Sequence, residues 1–211
     1  LTLSSFIGWF TFIDIGLGHG LRNKLAEVLA LKNYKLARTY ISSAYFTIML
    51  ISIALFVFFF IIDFFIDWTV ILNTNSELKE DLNFLMTLVF GFFCIQLVVK
   101  LITSIHLANQ NHSVIYKVQF FTHFFSLISV YIILNNSDSS LLLYGTLFSA
   151  IPVIVLVLYN FISFSNKFKF LNPKISLFNS KYVRELLDLG IKFFIIQISV
   201  LVLFSTDNII I

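Results

Sequence analysis

Six stretches of this chain, at about 1–15, 41–62, 84–104, 114–134, 141–161 and 191–211, are apolar and almost free of charge. The four inner ones each run about 20 residues, the length at which an α-helix crosses the ~30 Å hydrocarbon core of a bilayer. Runs without two-residue alternation point to helices and away from a closed barrel. Composition agrees. Hydrophobic residues make up 59% of the chain and charged residues 12%, with a mean hydropathy of +0.95, whereas a soluble domain carries about 25% charge to solvate its surface. The expectation is an all-α, polytopic transmembrane helix bundle.

The first run is too short for a full span, the chain opens on Leu1 with no basic leader, and it closes on Ile209, Ile210 and Ile211 in mid-run. These features predict a piece of a longer membrane protein, without a signal peptide. A lone cysteine, Cys94, rules out a disulfide framework or a thiolate metal cluster. The net charge of +3 forms no continuous basic stripe of the kind that binds nucleic acid.

The charges instead report topology, because Lys and Arg accumulate in short cytoplasmic loops. If the loop after the first run is cytoplasmic, six alternating spans place every basic residue at the cytoplasmic ends except Lys79, one of 14. Adding or removing one span would move the later basic clusters to the other side. The outer side carries Asp63, Asp67, Glu77, Glu80, Asp81 and Asp138.

Ionisable groups at membrane depth are costly and mark function by default. Asp14 and Asp207 are the main cases, each either lining a polar cavity or, for Asp14, pairing with Arg22 near the interface. Asn208, Ser205 and Thr206 extend the polar patch around Asp207. Gly16, Gly18 and Gly20 follow no strand, so they are not a dinucleotide loop. Their spacing favours a helix end and close helix packing. The other reading is a backbone presenting N–H groups, with Arg22 and Lys24, to an anionic headgroup. Lys100 either snorkels to the interface or adds positive potential to a cavity.

His19, His106 and His112 lie near helix ends and are expected to be solvated, whereas His123 is mid-span and reads as a hydrogen-bonded packing group ahead of a proton relay. The amides Gln96, Gln119, Asn160 and Gln197 read as interhelical hydrogen-bonding groups, and Pro152 predicts a kink near Ser149. No Ser/His/Asp set, carboxylate pair or metal cluster is legible, so hydrolytic chemistry has no visible machinery.

Three segments carry a family likeness. Asp14-Ile-Gly16-Leu-Gly18-His-Gly20-Leu-Arg22-Asn23-Lys24 with Leu36-Ala37-Arg38 and Ile41-Ser-Ser-Ala-Tyr45, then Ala108-Asn-Gln110, then Gln197 with Thr206-Asp207-Asn208-Ile209, occur in that order. Together they resemble the second helix and its loop, the end of helix four, and helix seven of bacterial O-antigen and capsule flippases, the polysaccharide transporters of a MATE-like superfamily. The resemblance implies a MATE-like fold, with 1–161 as helices two to six of the N-terminal lobe, 162–190 as a cytoplasmic inter-lobe linker, and 191–211 as the start of helix seven.

It also implies multi-pass residence in the bacterial inner membrane and alternating access. The substrate class implied is an undecaprenyl-pyrophosphate-linked oligosaccharide, moved between leaflets for lipopolysaccharide or capsule synthesis, with polysaccharide polymerase and chain-length proteins as partners. No cofactor is implied beyond a coupling H+ or Na+. Arg22, Asn23, Lys24 and Lys100 are candidates for the pyrophosphate, and Asp14, Asp207 and Asn208 for sugar or cation. Alternatives are a MATE-type drug/cation antiporter, which binding of an organic cation would reveal, a membrane glycan polymerase, and a structural membrane subunit. A polymerase usually needs a large outer loop, and the longest here is about 63–83.

Overall fold

The computed structural model describes residues 16–135 and 141–210, excluding the side chains of residues 76, 134, 141 and 200–210. The described elements are all helical. They are α1 (Leu17–Ala30), α2 (Tyr34–Asp63), the short α3 (Trp68–Ile71), α4 (Lys79–Val99), α5 (Leu101–Ala108), α6 (Ser113–Asn135), α7 (Leu141–Ser165) and α8 (Ser180–Ile210). Two 3-10 turns, Lys169–Leu171 and Ile175–Leu177, lie between α7 and α8. Four stretches are long and apolar enough to cross a membrane: Tyr34–Asp63, Lys79–Ala108, Ser113–Ile133 and Leu142–Ser165. They correspond to the second to fifth expected spans, and the first apolar run lies outside the described residues.

Local chemistry sets the boundaries. Leu17, Leu21, Leu25 and Val28 recur at helical spacing and are the buried stripe of α1. The chain leaves α1 through Lys32 in the left-handed region (φ 56), and the Asn33 side chain accepts the Leu36 amide to cap α2. Helix α4 starts at Lys79 rather than near residue 84, because Glu80 and Asp81 sit in a first turn where the helix dipole favours acids. The last helix begins at Ser180 rather than near Ile191. Residues 180–190 are charged enough to read as loop, yet Leu186 on this stretch is fully buried, so a packed apolar face carries the helix well ahead of the apolar run. Helix α7 continues through Pro152.

The four spans alternate in direction. Tyr45 near the start of α2 meets Asn160 near the end of α7, while Asp63 at the end of α2 meets Thr87 early in α4. The basic residues thus gather at one end of the bundle. The main apolar core lies towards that end, with Leu21, Leu25, Ile41, Ile102, Ile105, Leu171 and Leu186 fully buried. A smaller cluster of Trp68, Leu72, Leu82 and Met86 closes the acidic end. Between them the outer faces are apolar and open, as with Ile53, Val57 and Phe58 on α2, a surface suited to lipid and not to water.

Candidate functional site

Helices α1, α2, α5, α7 and α8 meet around the main apolar core at the basic end. Helix α1 crosses α8 with almost no side chain between them. Gly16 holds a left-handed φ of 74, and a Cβ there would collide with the Gly190 carbonyl oxygen. A Cβ on Gly20 would collide with the Leu186 carbonyl oxygen. The glycine motif therefore serves close helix packing, and Gly16 caps the start of a helix. Beside the crossing, the Gln197 amide nitrogen lies 3.1 Å from His19 Nε2, and the His19 ring lies against Phe193. Gln197 Oε1 is buried with no hydrogen-bond partner.

A second junction forms at the break between α4 and α5. The Thr103 amide bonds the Lys100 carbonyl at 3.0 Å instead of continuing the α-helical ladder to Val99. The freed Val99 carbonyl accepts from Asn160 Nδ2 of α7 at 2.7 Å, and Tyr45 of α2 donates its hydroxyl to Asn160 Oδ1 at 2.7 Å. One amide thus ties three spans together. One turn further on, His106 is buried, with Nε2 2.8 Å from Ser163 Oγ and Nδ1 3.3 Å from the Asn111 amide nitrogen. Both ring nitrogens of His106 thus have a hydrogen-bonding partner.

The segment between α7 and α8 is strapped to α2. Arg38 Nε donates to the Asn172 carbonyl at 2.8 Å. Ser42 Oγ accepts the Lys174 amide at 3.0 Å and Ser43 Oγ the Asn179 amide at 3.1 Å. Tyr40 donates its hydroxyl to Glu185 on α8. The expected inter-lobe linker is therefore held along its length.

Of the residues singled out from sequence, Arg22 and Asn23 stand on α1, half-buried and exposed. Lys24 is paired with Glu27 at 3.2 Å, which offsets its charge. Lys100 is half-buried at the α4–α5 break. Asp14 lies outside the described residues. Asp207 and Asn208 lie on the α8 backbone, with side chains outside the description. Three histidine expectations are corrected. His106 is buried and His19 half-buried, because each finds an amide or hydroxyl partner across a helix contact. His123 is exposed, and so is Gln119, so neither packs inside the bundle. Asn160 and Gln197 do bond between helices, as amides in spans should.

Sequence reasoning placed Asp63 and Asp67 on the outer side but missed the bonds that hold them. Asp63, 9% exposed, accepts from Trp68 Nε1 at 2.6 Å and Thr87 Oγ1 at 2.8 Å. Asp67 caps α3, bonding Lys79 Nζ at 2.6 Å and Thr69. The Lys79 ammonium, helped by Thr69, lowers the Asp67 carboxyl from the ordinary 3.8 to about 2. A lowered folded-state value means stability that is present above about pH 4 and lost as pH falls through about 2. The melting temperature of Asp67→Asn should therefore sit slightly below that of the native chain at pH 5 and converge with it near pH 2. The gap is small because both partners are exposed.

Compared with known proteins, the chain matches no protein-family model, no curated sequence and no solved structure.

Proposed function

We propose that the chain belongs to a flippase that carries a lipid-linked oligosaccharide, a polyprenyl pyrophosphate bearing a glycan, across the bacterial inner membrane by alternating access. The observation that carries this reading is the meeting of distant parts of the motif. The glycine segment that resembles the family's second helix crosses the helix that resembles its seventh, with His19 and Gln197 in contact. Two segments that share the family likeness, far apart in sequence, are neighbours in space, as parts of one transport path must be.

The physical problem fits a bundle with basic residues at one end. A pyrophosphate and a hydrated glycan must pass a ~30 Å hydrocarbon core while the polyprenyl tail stays in lipid. Arg22, Asn23, Lys24 and Lys100, towards the basic end, attract the pyrophosphate, with Lys24 partly offset by Glu27. Asp14, Asp207 and Asn208 bind sugar hydroxyls or a coupling H+ or Na+.

Replacing Asp207 by Asn should lower glycan at the cell surface severalfold at unchanged protein level, measured by lectin or antibody staining beside an immunoblot. Surface glycan at the native level in that variant sinks the proposal.

A further inference from the structure

The segment between α7 and α8 does not hang in water. It runs along α2, and its contacts mark each step. The Phe170 ring meets Tyr34, the Asn172 carbonyl accepts from Arg38, the Lys174 amide donates to Ser42, and the Phe178 ring meets Phe46. From Tyr34 to Phe46 is ~18 Å along the helix axis. An α-helix crosses the hydrocarbon core in ~20 residues, and α2 ends at Asp63 among the acids of the other end. Counting back from Asp63 sets the near edge of that core at Ser43, whose hydroxyl accepts the Asn179 amide. The segment therefore lies at headgroup depth and reaches the hydrocarbon edge at Phe178.

Its side chains sort as that depth requires. Ile175 is 72% exposed, and Phe170 and Phe178 are exposed as well. Beyond Phe46 on the same stripe of α2, Met49, Leu50 and Ile53 are exposed and apolar. The segment thus sits at the rim of a face suited to lipid, and its apolar groups continue that face. Charge follows the same boundary. Residues 162–184 hold Lys167, Lys169, Lys174, Lys181 and Arg184 and no acid. Lys169, Lys174 and Lys181 are exposed and form no ion pair among the described residues. Exposed apolar groups interleaved with lysines at the edge of a bilayer suit an anionic lipid surface. A soluble acidic protein would meet the lysines but could not cover Phe178 at the hydrocarbon edge.

We infer that this segment docks on anionic lipid headgroups of the leaflet at the basic end. Ile175 and Phe178 enter the acyl boundary, and Lys169, Lys174 and Lys181 meet lipid phosphates. Long lysine stems let the ammonium groups stay at the headgroups while the apolar side chains go deeper. The bonds to α2 hold the backbone in place beforehand, so little ordering cost is left for lipid binding. The inference rests on the chain spanning a membrane and not on what it transports.

The test uses the full chain in vesicles of phosphatidylcholine and phosphatidylglycerol in equal parts. With Cys94→Ala removing the native thiol, a fluorophore on Ile175→Cys is read against one on Ile53→Cys in mid-span. Lipids spin-labelled on the acyl chain should quench both. At 175, spin-labelled phosphatidylglycerol should be enriched about fivefold over spin-labelled phosphatidylcholine, the weight of one lysine near an anionic surface. Lys169→Gln with Lys174→Gln and Lys181→Gln should abolish that preference, added salt should weaken it, and Lys117→Gln on α6 should leave it unchanged. If Cys94→Ala lowers the protein level, the native background serves, since Cys94 is buried. Quenching at 53 but not at 175, the result expected if water or an acidic protein covers the segment, would overturn the inference and leave the span intact. Equal quenching by the two lipids at 175 would also overturn it. Loss of quenching at both sites would remove the membrane reading along with it.

Discussion

Valine in place of Gly20, or of Gly190, is expected to cost ~3 kcal/mol or more and to deplete the protein from the membrane. Overpacking inside a core ordinarily costs ~1–3 kcal/mol, because neighbouring side chains can rotate away. Here the atom in the way at Gly20 is the Leu186 carbonyl oxygen, and at Gly190 it is Gly16 backbone 3.0 Å from the added carbon. Backbone cannot rotate aside, so α1 and α8 must separate and expose the Leu21 and Leu25 stripe. Gly91→Ala is the matched control. Its new methyl would meet only the Phe56 ring edge at 3.3 Å, a side chain that can shift. Thermal denaturation in detergent should rank Gly20→Val and Gly190→Val far below the native chain and Gly91→Ala close to it.

Leucine in place of Asn160 is the second large loss, at ~2–4 kcal/mol. Removing the amide strands the Val99 carbonyl and the Tyr45 hydroxyl together, and each buried unsatisfied group costs ~1–3 kcal/mol. Tyr45→Phe alone removes one of the bonds and should cost ~1 kcal/mol. The double variant should fall short of the sum, because both changes delete the Tyr45–Asn160 bond. Ser129→Ala, which removes only a bond within its own helix from an exposed position, should leave the melting temperature unchanged. A large drop in Ser129→Ala, or none in Asn160→Leu, would show that the amide does not hold the three spans together.

What the sequence revealed follows from which signals are one-dimensional. Apolar length exposed the four spans, since a bilayer imposes one threshold on every helix. Glycine spacing pointed to close packing because only glycine lets two backbones touch. Asn160 was legible as a bonding amide because a span gives it no water.

The missed features depend on partners that no local pattern names. His106 looked solvated from its place near a helix end, and only the approach of Ser163 on another helix buries it. Residues 180–190 read as loop from their charge, although the face carrying Leu186 and Gly190 packs on α1. Ser42 and Ser43 stand out in sequence only within a family likeness, which says nothing of their bonds, and they hold the segment before α8 through its backbone. The glycine, amide and strap contacts all converge on the basic end, so the site's framework came from structure even where its charges came from sequence.

The crossing of α1 and α8 also sets a timetable for biogenesis. His19 and Gln197, which meet beside it, are 178 residues apart in the chain. At ~5–20 residues per second, a ribosome needs about 10–35 s to travel from one to the other. Throughout that interval the glycine face of α1 has no α8 to close on, and the buried stripe beside it lacks its cover. The newborn chain must therefore wait, part-assembled, for α8, and the joint that no side chain can fill closes only once that helix has been made.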